Sequence, residues 1–197
     1  MNALRMYVFR PLLVLASAGL LLAGCATVLT GHSDYDKKFD FARFKSFYWM
    51  YPESSAAAEA ASPGISALNL RRIREAVQAD LQAKGYTLAD SRQSADFVVS
   101  FSVGTRDKLE VDTLPAYYRG PWYWHPYYWA DAGVYARTYT EGTLGIDIFD
   151  QRSGTPVWSG WVRKRVLQSD RDNPEPVIHK AVAAVLAHFP PSAAAGK

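Results

Sequence analysis

Four histidines and a scatter of carboxylates are the side chains in this sequence able to bind a metal or to move protons. The histidines stand at His32, His125, His179 and His188. None has a partner at the three- or four-residue spacing that sets two ligands on one helical face. His179 and His188 lie on one predicted helix but point differently, and His125, among aromatic neighbours, reads as a turn or packing residue. Asp147 and Asp150 fall on opposite faces of an extended segment, so they form no ready acid–base pair. Glu141 and Asp147 share a face, which outward polar positions explain. Asp34 and Asp36 could share one too, beside a segment that reads as a tether. The sequence holds no G-x-S-x-G, no G-x-x-x-x-G-K-S/T and no G-x-G-x-x-G. A single cysteine excludes an intramolecular disulfide and a Cys-based zinc cluster. The expectation is a protein that is not an enzyme, with no catalytic residue, no metal site and no cofactor.

The lone thiol has a better-defined chemistry. Cys25 ends the run Leu22-Ala23-Gly24-Cys25, and small residues ahead of a cut let a peptidase approach an extended backbone. Upstream, Arg5 and Arg10 are the only charges, followed by an apolar run from Pro11 to Leu22. Twelve helical residues span about 18 Å, short of the ~20 residues a membrane span needs, so the run reads as the core of a secretory signal. The whole resembles the lipobox of bacterial lipoproteins. That resemblance implies cleavage between Gly24 and Cys25, a diacylglyceryl thioether on the cysteine, and a further (palmitate-type) acyl chain on its new amino group. One acyl chain binds a bilayer only marginally and each buried methylene contributes about 0.8 kcal/mol, so three would anchor durably. In the lipoprotein sorting pattern an Asp after the cysteine retains the protein in the inner membrane. Ala26 stands there instead, which favours the outer membrane with a periplasmic domain.

Charge and composition bound the remainder. The 197 residues are 49% hydrophobic and 21% charged, with a formal net charge of +3, an ordinary globular mixture. Disordered polyelectrolytes, collagen-like repeats and multi-span membrane proteins are excluded. Loss of the leader takes two arginines with it and leaves a near-neutral chain, which gives no electrostatic case for nucleic acid. The basic cluster Arg163-Lys164-Arg165 alternates along a predicted strand, so its charges should split between two faces.

The elements that must carry these residues follow from periodicity. Residues 26–38 are small and polar and read as a tether reaching at most roughly 45 Å. An aromatic segment from Phe39 to Tyr51 ends in a first strand, Phe47 to Tyr51. Residues 52–63 are low in complexity and read as a loop. Leu70, Ile73, Val77 and Leu81 then recur at helical spacing between Ile65 and Lys84, with Gly85 placed to stop the helix. Asp96 to Val103, Thr138 to Asp150 and Thr155 to Leu167 alternate as strands, the last two joined by a short turn at 151–154. Asn173-Pro174-Glu175 opens a second helix whose stripe is Ile178, Ala181, Val182, Val185 and Phe189, ended by Pro190-Pro191. The expected architecture is an α+β two-layer sandwich: a mainly antiparallel sheet of about four strands with two helices on one face. The predicted layout is a removed leader at 1–24, a lipid-anchored tether at 25–38, one domain at 39–191 and a loose tail at 192–197.

Within that domain, residues 104–137 read as a long insert. Between Tyr117 and Trp129, eight of 13 residues are aromatic: Tyr117, Tyr118, Trp122, Tyr123, Trp124, Tyr127, Tyr128 and Trp129. Such rings bury large area at little entropic cost. They could fold back as core, meet an envelope protein or glycan, or rest at a lipid headgroup boundary.

A family resemblance follows from several segments in order. They are Ser33-Asp34-Tyr35-Asp36, Phe44 to Trp49, Lys84-Gly85-Tyr86, Ala95 to Val99, Glu141-Gly142-Thr143-Leu144, Val157-Trp158-Ser159-Gly160 and Phe189-Pro190-Pro191. Together they resemble the domain-of-unknown-function family numbered 4136. The resemblance covers nearly the whole mature domain, implies a mostly lipoprotein membership, and supplies no catalytic residue. The functional expectation is an outer-membrane lipoprotein whose periplasmic domain binds a partner or supports an envelope assembly. The alternative is an envelope hydrolase acting on glycan or peptidoglycan.

Overall fold

The computed structural model describes residues 29–51, 60, 62–113 and 134–191. The leader, Gly24, Cys25, the ring-rich stretch from Tyr117 to Trp129 with His125, most of the 52–61 segment and the tail 192–197 lie outside the described residues.

Among the described residues six strands form one sheet: β1 (Gly31–Tyr35), β2 (Ser46–Trp49), β3 (Thr87–Leu88), β4 (Phe97–Thr113), β5 (Val134–Asp150) and β6 (Pro156–Arg165). Their spatial order is β1-β6-β5-β4-β2-β3. Among the described residues three α-helices accompany them: α1 (Ala67–Ala83), α2 (Gln168–Asp172) and α3 (Pro174–Leu186). This corrects the expected four-stranded, mainly antiparallel sheet with two helices. The sheet is mixed, because β2 runs parallel to both β3 and β4. The cause is α1, whose 17 residues carry the chain back across the sheet before β4 begins, and such a crossover returns the next strand parallel.

The two extra strands lack an apolar alternation to announce them. β3 is two residues long. β1 has the sequence Gly-His-Ser-Asp-Tyr and pairs antiparallel with β6, Gly31 opposite Val162 and Tyr35 opposite Trp158. The stretch expected to be tether from 31 to 35 is therefore an edge strand of the domain. Gly31 is needed there, since a Cβ would sit 2.0 Å from the Ala184 carbonyl oxygen of α3. Across the pair, Gly160 makes room for the Trp158 ring, 2.3 Å from where its Cβ would be.

Other sequence features fold as their chemistry dictates. Ser66 caps α1 by accepting from the Asn69 amide, and Gly85 takes a positive φ of 91° at its end. Leu70, Ile73, Ala76, Val77 and Leu81 are buried along α1. Val182, Val185 and Leu186 are buried along α3. Both helices share one core with Phe47, Phe97, Val99, Ile146, Ile148 and Trp158. Phe97 stands at its centre, with ring centroids 4.7 Å from Phe44, 5.3 Å from Tyr86 and 5.8 Å from Phe189. Phe189, just beyond α3, also closes on Trp158 at 5.3 Å.

Of the expected insert at 104–137, the described residues, 104–113 and 134–137, are strand. β4 and β5 pair continuously from Phe97–Asp150 out to Thr113–Val134. β2 leaves this pair at Trp49–Val99 and β6 leaves it at Arg165–Glu141. From there to Thr113 and Val134, β4 and β5 continue as a two-stranded ribbon. Its residues Thr105, Arg106, Asp107, Lys108 and Glu110 are polar and exposed or partly so, hence the absence of a strand signature in the sequence.

Candidate functional site

Residues in alternate register on β4, β5 and β6 define the sheet face toward the helices, which includes Val103, Leu144 and Val162. Where the ribbon leaves the sheet, α1 and α3 no longer close over this face, and a cleft of about 600 Å³ opens. Val103, Leu144 and Val162 line its floor, Ile65 and Ile73 one wall, and Val177, Ile178 and Ala181 the other. The helices position these walls through their own stripes: Ile73 comes from the buried face of α1, and Ile178 and Ala181 from the α3 face packed on the core.

The cleft has a polar rim. Lys164 pairs with Asp170, and Asp170 also accepts the Leu167 amide at 2.8 Å. Arg171 donates to Thr140 Oγ1 at 3.1 Å, and Thr140 donates on to Asp107 at 2.8 Å. Partial burial by itself would raise the Asp170 carboxyl pKa, but Lys164, the Leu167 amide and Lys180 outweigh it and hold it below the usual carboxylate range. Asp170 is thus a fixed anion at neutral pH, suited to orienting a ligand and unsuited to donating a proton. An apolar floor beneath a few ordered charges is the form of a site for an amphipathic molecule or side chain.

The acidic residues weighed in the sequence are placed as alternation requires. Asp150 is buried at 4% exposure; it pairs with Arg43 and accepts from Ser153. Asp147 lies on the opposite face and accepts from Ser159 at 2.7 Å. Glu141 shares that face and is gripped by Lys108 at 2.8 Å and Arg106 at 3.2 Å. The Lys108 bond is the first cause of its lowered pKa. Asp34 and Asp36 each accept a nearby backbone amide. His32 stacks on Trp161 at 5.8 Å, while His179 and His188 are exposed. Among the described residues no three His, Cys, Asp or Glu side chains gather as metal ligands. Arg163 and Lys164 do part to opposite faces: Lys164 turns into the cleft rim and Arg163 to the open side.

Sequence reasoning missed the cleft. Its residues come from six elements; alternation along β4 and β5 and the stripes of the two helices put Val103, Leu144, Ile73, Ile178 and Ala181 on inward faces, but nothing in the pattern marks where those faces cease to be covered.

The comparisons with known proteins add the family. The family model described as Domain of unknown function (DUF4136) matches residues 31–191. The chain belongs to this family. The matched span opens on the first residue of β1, so the family domain includes the edge strand that the sequence reading assigned to the tether. Among solved structures the chain is similar to a DUF4136 family protein from Bacteroides thetaiotaomicron, with 20% identity, a TM-score of 0.51, 84% of this chain and 97% of that one covered. It is also similar to a PDZ domain protein from Parabacteroides distasonis, with 14% identity and a TM-score of 0.52, over 90% of this chain and 40% of that one. At such identities the likeness is one of fold. No curated protein matches the sequence.

Proposed function

We propose that this DUF4136 protein is a binding domain of the bacterial envelope. It is held at the outer membrane by lipid on Cys25 and takes an apolar or amphipathic group of a periplasmic partner into the cleft between α1 and α3. The observation that carries the reading is the cleft itself: about 600 Å³, floored by Val103, Leu144 and Val162 and rimmed by the Lys164–Asp170 pair. Its described carboxylates are committed to neighbours, which supports binding over hydrolysis. A glycosidase needs two free carboxyls flanking its bond, one of them protonated. The rings from Tyr117 to Trp129 fall in sequence between the far ends of β4 and β5 and would add partner-facing surface.

Two measurements test the reading. Intact mass of the mature protein should show three acyl chains on Cys25, and an unmodified cysteine would end the anchoring claim. The environment-sensitive dye anilinonaphthalene sulfonate should bind saturably to the native protein. Ala181→Phe, which fills the cleft wall, should abolish that signal. An equal signal from both would remove the cleft as the binding site.

A further inference from the structure

The direction of β1 links the anchor to the ribbon. β1 runs antiparallel to β6, with Gly31 opposite Val162. The chain preceding Gly31 therefore leaves the sheet toward Arg163 and Arg165, the end from which the β4–β5 ribbon projects. Five residues lie between Cys25 and Gly31, and the six Cα-to-Cα steps reach at most about 20 Å. Gly31 lies level with Val162 and Leu144, and the ten residues from Leu144 to Val134 carry the ribbon about 33 Å beyond that level. A bilayer holding Cys25 thus lies within the length of the ribbon, which has no room to stand clear of it in this direction.

The ribbon's charge suits that position. At the ribbon end of the sheet face away from the helices, Arg106, Lys108, Arg137, Arg163 and Arg165 stand against Glu110 and Glu141, counting the side chains described there, while Asp34 and Asp147 share that face farther from the ribbon. Arg106 and Lys108 converge on Glu141, while Arg165 pairs with Glu110 at 3.5 Å and lies over the Tyr139 ring at 4.7 Å. Arg137 and Arg163 are exposed and among the described residues have no carboxylate within ion-pair distance. The positive excess is local, because the chain without its leader is close to neutral. Basic residues held near an anionic leaflet each add measurably to binding.

We propose that the cationic face formed by the β4–β5 ribbon and the adjoining end of β6 lies on the anionic, phosphate-bearing headgroups of the bilayer that holds the Cys25 lipid. This inference rests on the anchoring reading above, and the test separates the two. The purified full-length mature protein is reconstituted into vesicles of phosphatidylcholine alone or with phosphatidylglycerol. Leu109→Cys, 65% exposed on the ribbon face opposite the cationic one so that the label leaves those charges in place, and Arg152→Cys, in the turn at the opposite end, carry a fluorophore against a lipid-borne quencher. Quenching at position 109 should exceed that at 152 and rise about twofold or more with phosphatidylglycerol. It should fall back near 1 M salt, where the Debye length is about 3 Å. The pair Arg137→Gln with Arg163→Gln should remove the rise, while Lys37→Gln with Arg152→Gln, an equal charge loss on exposed sites elsewhere, should leave it. Unchanged thermal unfolding of each variant keeps the comparison valid. A lipidated chain whose 109 label is quenched no more than its 152 label, or equally in both vesicle types, overturns the surface and keeps the anchor. A chain without lipid that still floats with anionic vesicles in a salt-sensitive manner keeps the surface and removes the anchor.

Discussion

β4 and β5 run as one continuous pair through two environments. Near Phe97 and Ile148 they lie beneath the helices with side chains fully buried. Beyond Arg106 and Glu141 they project as a ribbon held by cross-strand charges. The same backbone ladder thus serves a close-packed core at one end and a solvated surface at the other. Stability resides in the first, where burial contributes about 25 cal/mol per Å²; an exposed ion pair such as Arg165–Glu110 at the second contributes little. What the ribbon gains in exchange is access.

Substitutions at matched positions should expose that contrast. Phe189→Ala removes a ring 1% exposed among Phe97, Tyr86 and Trp158 and should cost about 3–5 kcal/mol. Leu109→Ala on the ribbon should stay within about 0.5 kcal/mol. Urea midpoints measure both, and equal losses would erase the distinction between the two halves. Two glycines sharpen it. Gly31→Ala forces a Cβ into the Ala184 carbonyl and should destabilise by about 1–3 kcal/mol or more. A Cβ at Gly104 meets nothing within 4 Å, so Gly104→Ala should be neutral or slightly stabilising in the same titration.

The smallest effect is in acid. Burial pushes the Asp150 pKa upward, but its bonds from Ser153 and Arg43 outweigh that and leave it below the ordinary value. A carboxyl lowered on folding stabilises above its unfolded pKa of about 3.9 and loses that contribution as pH falls through the folded value. Unfolding monitored from pH 6 downward (a window of about two to four pH units) should therefore steepen below about pH 4 in the native protein. Asp150→Asn should cost about 1–2 kcal/mol at neutral pH and flatten the acid limb. A comparable flattening from Glu141→Gln would place the acid-sensitive charge on the ribbon instead.

The covered half was largely legible in the sequence, because burial leaves a periodic trace. Leu70, Ile73, Val77 and Leu81 marked α1, and Phe97, Val99, Phe101 and Val103 marked one face of β4. The ribbon was not, since Arg106 to Glu110 carry polar groups on both faces and a strand without a buried side has no alternation to show. β1 was hidden for a related reason: its pairing to β6 depends on a missing side chain at Gly31, and propensity does not register an absence. The cleft was illegible because it belongs to an arrangement. Lys164, Asp170, Arg171 and Thr140 are ordinary residues until α2 brings them to one rim. The parallel course of β2 and β4 was within reach, given a helix long enough to recross the sheet.

The chain enters its domain through an edge strand, and this has a mechanical consequence. Tension between a fixed N-terminus and a ligand drawn outward would load β1 first. Five register pairs with β6 and the close seat of Gly31 on α3 stand between that pull and the aromatic core. Peeling β1 would expose the β6 edge while Phe97 and Trp158 remain enclosed, so the first rupture under force should be partial and able to heal.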